Sequence, residues 1–125
     1  MGWIEYMAAV EESIASDEKL DLISRYARML VEQGKRDPKI RDLAVAVTRG
    51  CRSKEYACEA RTLHDYVWEN VRYVKDIVSV ERFATPQRTL FMEKEGDCDD
   101  SSIALSALLE SIGHETRFIL IEQGS

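Results

Sequence analysis

Cys98 lies in the stretch Gly96-Asp97-Cys98-Asp99-Asp100, directly ahead of the apolar run from Ser101 to Ile112. A thiol at the start of a helix faces unpaired backbone N–H groups and the positive end of the helix dipole. Both lower its pKa and make it a better nucleophile. Asp97, Asp99 and Asp100 oppose this, because like charge disfavours a thiolate. Which influence prevails depends on where those carboxylates point. A cysteine at a helix start also serves as a small packed residue, and Gly-Asp before a helix is ordinary capping chemistry. The residues alone therefore leave a nucleophile and a structural cysteine both open.

The other residues able to do chemistry are few. His64 and His114 are the only histidines, and Cys51 and Cys58 the only other cysteines. A zinc site from Cys51, Cys58 and His64 matches no standard ligand spacing, so no metal and no cofactor is expected. His64 and Trp68, four residues apart, share a helix flank, where a histidine is usually a surface or structural residue.

The elements that must position Cys98 come from a chain of 125 residues, 45% hydrophobic and 32% charged. That composition predicts a single globular domain over residues 1–125 with one modest core. A net charge of −6 without a basic cluster argues against nucleic acid as a partner. No apolar run approaches 18 residues, so no membrane span is expected. Met1 to Val10 includes Glu5 and lacks the layout of an export signal. The cytoplasm and reduced thiols are therefore expected, with a Cys51–Cys58 disulfide the less favoured alternative.

Trp3, Tyr6, Met7, Val10 and Ile14 recur at helical spacing and predict a first helix over about 3–14. Leu20, Ile23, Ala27, Leu30 and Val31 predict a second over about 17–33, with Ser16 and Asp17 as its cap and Gly34 as its stop. Asp37-Pro38 opens a third, carrying Ile40, Leu43, Ala44 and Val47 and ending near Gly50. A polar loop spans Cys51 to Cys58, and a fourth helix runs from about Glu59 to Val74. Residues 77–80 read as a short strand, Thr85-Pro86 as a turn, Thr89 to Met92 as a brief helical turn and Thr116 to Ile121 as a strand. On the Cys98 helix, steps of 100° place Ser102, Leu105, Leu109 and Ile112 on the cysteine's face, expected to be buried. Asp99, Ser106 and Glu110 form a stripe expected to be wet, and Ala104, Ala107 and Ser111 a small-residue side suited to close packing. Asp97 or Asp100 is expected to cap the backbone.

The run Gly96-Asp97-Cys98-Asp99-Asp100-Ser101-Ser102-Ile103-Ala104-Leu105, followed by Ala107-Leu108-Leu109, Ile112-Gly113 and Thr116-Arg117-Phe118, resembles the transglutaminase-like superfamily of papain-type cysteine proteases and amidases. Trp68, Asn70-Val71-Arg72-Tyr73, Asp76, Glu81, Pro86 and Leu90 fall in the order seen before that family's nucleophile, especially in phage-associated bacterial members. The resemblance implies that Cys98 is the thiol nucleophile, attacking an amide or acyl carbon to form a thioester. It also implies a histidine base and an orienting Asp or Asn on strands after the cysteine helix. His114 comes too early to match that histidine, and His64 precedes the cysteine. A truncated chain, a site completed by another chain or a member that no longer catalyses is therefore expected.

The resulting expectation is an α+β domain: four to five helices with the Cys98 helix central, and a minimal C-terminal β element. Residues 1–75 form its helical part, and 76–122 the nucleophile loop, helix and strand. Its function would be that of the nucleophile-bearing part of a transglutaminase-like cysteine hydrolase or transamidase, weak or inactive in this form. A non-catalytic, phage-associated interaction module is the alternative. The partners would be a peptide or amide substrate, and a second copy or a missing C-terminal part pairing through the strand 116–121.

Overall fold

In the computed structural model, residues 16–74 and 84–119 are described. The chain forms α1 (Ser16–Gly34), α2 (Pro38–Val47), a 3₁₀ turn (Thr48–Gly50), α3 (Tyr56–Asn70), β1 (Arg72–Tyr73), a π-helical turn (Arg88–Glu93), β2 (Glu95–Gly96) and α4 (Cys98–Ser111). β1 and β2 pair in parallel, Arg72 with Glu95 and Tyr73 with Gly96. The α+β expectation holds, with the cysteine-bearing helix central: α4 packs against α1, α2 and α3. The predicted helix over 3–14 and strand over 77–80 lie outside the described residues.

The core has two parts that meet on α4. Ile40, Ala44, Leu63, Val67, Val71 and Leu90 surround Ala104, Ala107 and Leu108, while Ala27, Leu30 and Val31 of α1 close over Ile103. The small-residue side is thus the packing side, as expected, because alanines let neighbouring backbones approach closely. Asp37 caps α2 by accepting from the Lys39 N–H at 2.9 Å, ahead of Pro38. Its second oxygen accepts from Gln87 Nε2 at 3.1 Å, which ties α2 to the turn before β2.

Four expectations are corrected. The first concerns the cysteines, since Cys51 and Cys58 form a disulfide rather than two thiols. The 3₁₀ turn and the start of α3 bring their Cα atoms to 5.8 Å, within bridging range. The two sulfurs are therefore not available as zinc ligands. The second concerns the fourth helix, which ends at Asn70 rather than near Val74. β-branched Val71 turns extended there, and Arg72 N–H and Val74 N–H donate to the Lys94 and Gly96 carbonyls of the β2 segment. Tertiary pairing overrides the helical period.

The third concerns the segment after α4. Residues 116–119 of the predicted strand 116–121 pair with no strand among the described residues. Side chains take the place of a ladder. Thr116 N–H donates to Glu110 Oε2 at 3.3 Å, the Thr116 hydroxyl to the same oxygen at 2.6 Å, and Arg28 Nη1 to the Thr116 carbonyl at 3.1 Å.

The fourth concerns the faces of α4. Of the stripe expected to be wet, Ser106 is buried and Glu110 half-buried, with only 7% of the Glu110 side chain exposed. Arg28 Nη2 at 2.5 Å and Lys35 Nζ at 3.3 Å bring positive charge to its carboxylate. Burial pushes Glu110 up, but the hydrogen bonds from Arg28 and Thr116 outweigh it, and the carboxyl stays below its usual range. Ser102, expected to be buried, is exposed, and Leu105, Leu109 and Ile112 border the core half-buried.

Gly34 ends α1 for a reason of space. A Cβ there would meet Pro86 Cγ at 2.7 Å and Ala107 Cβ at 3.2 Å. Gly34→Ala would gain about 1 kcal/mol of helix propensity elsewhere. Here overpacking against a rigid proline ring is expected to outweigh that gain, for a net loss of about 1–2 kcal/mol in denaturant unfolding. The disulfide closes a short loop, so Cys51→Ser with Cys58→Ser is expected to cost about 2.5 kcal/mol. Alkylation of the unfolded parent protein, with both cysteines in place, should label one cysteine before reduction and three after it.

Candidate functional site

Cys98 is the first residue of α4, and the residues beside it hold that position by a reciprocal cap. Asp97 Oδ1 accepts from the N–H groups of Asp99 at 3.0 Å and Asp100 at 2.9 Å. Asp100 Oδ2 accepts in return from the Asp97 N–H at 3.3 Å. This is the capping-box arrangement, in which each carboxylate satisfies an orphan donor at the helix start. The other oxygen of Asp100 accepts from Ala84 N–H at 2.8 Å and so anchors the chain where it returns before Pro86. Both Asp97 and Asp100 are thus engaged in capping, where one was expected. Asp97 is buried.

Gly96 is required by this cap. A Cβ at Gly96 would lie 2.7 Å from the Cβ of Asp100, so only glycine lets the Asp100 side chain fold back. Gly96 is a strand residue paired with Tyr73, and what it supplies to the cap is space.

The electrostatics at the helix start follow from the cap. The Asp97 carboxylate already occupies two first-turn donors, which offsets part of the positive end that a thiolate would use. Burial raises Asp100 from 3.8 to about 6, against the hydrogen bond from Ala84 and with added repulsion from Asp97. Its proton is therefore partly retained at mildly acidic pH, and the negative charge around Cys98 is less than three carboxylates would imply.

A groove of about 760 Å³ runs between the C-terminal half of α3, β1 and the first turns of α4. His64, Val67, Trp68, Tyr73, Ser101, Ser102 and Leu105 are among its lining residues. Trp68 is 79% exposed. The His64 ring lies nearly parallel to it, centroids 6.5 Å apart, and His64 Nδ1 is 3.3 Å from Asp65 Oδ1 on the solvent side. His64, an unremarkable surface histidine by sequence, thus shares a groove with the turn that follows Cys98. Tyr73 joins this groove only because β1 replaces the end of the expected fourth helix.

His114 is placed elsewhere. It follows the far end of α4, whose 14 residues span about 20 Å. Its Nε2 lies 2.7 Å from Glu59 Oε1, and its ring meets Tyr56 edge to face at 5.6 Å. It joins α3 to the end of α4 and stands clear of Cys98. Among the described residues no cluster of three or more His, Cys, Asp or Glu is placed to hold a metal ion. No described helix is long and apolar enough to cross a membrane.

A model of the transglutaminase-like superfamily matches residues 41–122, from α2 past α4. The chain belongs to that superfamily. No curated protein and no solved structure matches it. The matched span takes in the superfamily signature read around Cys98, the cap that holds that turn and every residue lining the groove.

The raised Asp100 has a signed consequence. A carboxyl whose folded pKa exceeds its unfolded value stabilises the fold at low pH, and that stability is lost as pH rises from about 4 through about 6. Glu110, held low, has the opposite slope below its usual range. Carbon-detected NMR should show the Asp100 carboxyl titrating near pH 6, and a midpoint near 4 would contradict the buried cap.

Proposed function

We propose that this domain carries the nucleophile of a transglutaminase-like cysteine hydrolase or transamidase, with Cys98 as the attacking thiol. One observation supports this most: the superfamily's cysteine motif falls at the capped first residue of α4, and a groove runs along the turn that follows. A peptide or amide substrate lying in that groove would place its carbonyl carbon near the helix start.

In the proposed reaction the Cys98 thiolate attacks that carbon, and the carbonyl oxygen takes up the negative charge. The C–N bond then breaks, the leaving amine takes a proton, and an acyl thioester remains on sulfur. Water or a second amine attacks the thioester and restores the thiol. The donors for the oxyanion are fewer than the bare sequence suggests. Asp97 holds the Asp99 and Asp100 N–H groups, and the Asp97 carbonyl accepts from Ser101 N–H. The reading therefore assigns the oxyanion to the Cys98 N–H.

Turnover by this chain is expected to be weak. Of its two histidines, His114 is held by Glu59 about 20 Å away along α4. His64 is stacked on Trp68 with Nδ1 toward Asp65. Neither matches the superfamily's histidine, so a base from another chain or further residues would complete the site. The 114–119 segment, half-buried and exposed in strict alternation, is the natural place for an added strand from such a partner.

A non-catalytic interaction module is the second reading, and it is favoured by the Asp97 carboxylate occupying the helix start. Iodoacetamide labelling of Cys98 against pH separates the two. A nucleophile requires an apparent pKa below the ~8.5 of a free thiol. A value at or above that would sink the enzymatic reading and leave the module.

A further inference from the structure

Residues 114–119 follow α4 as an extended segment whose two edges differ. His114, Thr116 and Phe118 are half-buried, while Glu115, Arg117 and Ile119 are exposed. Each inner side chain is fastened: His114 to Glu59, Thr116 to Ser106 and Glu110, and Phe118 against the part of the core around Ile103. In an extended chain the N–H and C=O of one residue share an edge, and those of the next point to the other edge. His114 N–H donates to the Leu109 carbonyl at 3.1 Å, and Thr116 meets Glu110 through its N–H and Arg28 through its C=O. The even-numbered edge is thus turned to α1 and α4. The odd-numbered edge carries the backbone groups of Glu115 and Arg117, which have no partner among the described residues.

A fastened strand with one open edge is a template for another strand. Its charges select which one. We propose that the occupant is the same segment of a second copy, antiparallel about a two-fold axis at Thr116. Only the odd-numbered residues can form the hydrogen-bonded pairs, which limits the central registers. Pairing Arg117 with Arg117 of the other copy, or Glu115 with Glu115, sets like charges directly opposite, which is destabilising. Pairing Glu115 of one copy with Arg117 of the other sets opposite charges face to face on both sides of the axis. Each such pair exchanges both its N–H···O bonds. Among the described residues neither side chain is engaged in an ion pair, so both charges are available for this exchange. In the same register Ile119 lies across from Gly113 of the other copy, where a Cβ would find nothing within 4 Å.

The interface is isologous and closes as a dimer, because the even edges are already taken by side chains and by α4. A two-stranded ribbon alone is marginal in water, but here each strand is held extended by its own core, so little ordering remains on pairing. Few residues pair, which makes the dimer weak and reversible. It is independent of the chemistry proposed for Cys98, which stands at the other end of α4.

Sedimentation velocity on the full chain, at concentrations up to about 1 mM, reads the association. The parent protein should dimerise reversibly. Glu115→Arg and Arg117→Glu, both at exposed positions, should each weaken dimerisation about tenfold, because each sets like charges opposite one another on both sides of the axis. An equal mixture of the two variants should dimerise as the parent does, since every cross-strand pair is then Arg with Glu. The double variant should do the same, and recovery in either case shows that the substituted chains are folded. A parent that stays monomeric over the whole range would overturn the proposal. So would a dimer that neither substitution weakens, which would lie on another surface. A loss with only one of the two substitutions, or variants that stay apart when mixed, would show that Glu115 and Arg117 do not face each other, and would overturn it as well.

Discussion

Ile103, Ala104, Ala107 and Leu108 of α4 are completely buried, and the other three described helices hold their places by touching them. That burial is the constraint from which the rest follows. At about 25 cal/mol per Å² of apolar surface removed from water, no polar contact in the domain competes with it in aggregate. Two alanines at the contact bring α1, α2 and α3 close, and Gly34 admits Pro86 where any larger residue would push the layers apart. Because α4 is fixed on these sides, its first residue is fixed too. A site built on the end of a buried helix inherits the rigidity of the core.

The two ends of α4 hold their carboxylates in different ways. At the start, Asp97 and Asp100 each accept from the other's backbone N–H, and Asp100 also accepts from Ala84 N–H. At the end, the Glu110 carboxylate is surrounded by Arg28, Lys35 and Thr116, so a buried charge sits among donors that offset its desolvation. The first arrangement raises a carboxyl beside Cys98 to about 6, and the second holds one far from it below its usual range.

Much of this was legible in residue order. Period 3.6 located α1, α2 and α4, Asp37-Pro38 marked a helix start, and the Gly-Asp-Cys-Asp-Asp run marked the cap and the candidate nucleophile. What failed did so where distant residues decide the outcome. Arg72 and Tyr73 fall within the expected fourth helix, yet β2, more than 20 residues later, draws them into a strand. Glu110 looks like a solvent residue until Arg28, 82 residues earlier, is placed against it. Cys51 and Cys58 fit a reduced compartment on composition, and only the packing of the 3₁₀ turn on α3 brings them together. The groove was hidden for the same reason, since Arg72 and Tyr73 of β1 form part of its lining.

The central claim is that Cys98 accepts an acyl group. Incubating the 125-residue chain with an activated thioester or p-nitrophenyl ester and mapping the product by mass spectrometry tests it directly. The account predicts a single hydroxylamine-labile acyl adduct on Cys98 that forms once per chain, turns over slowly and is absent from Cys98→Ala. No adduct, or equal acylation of the Cys98→Ala protein, would contradict it.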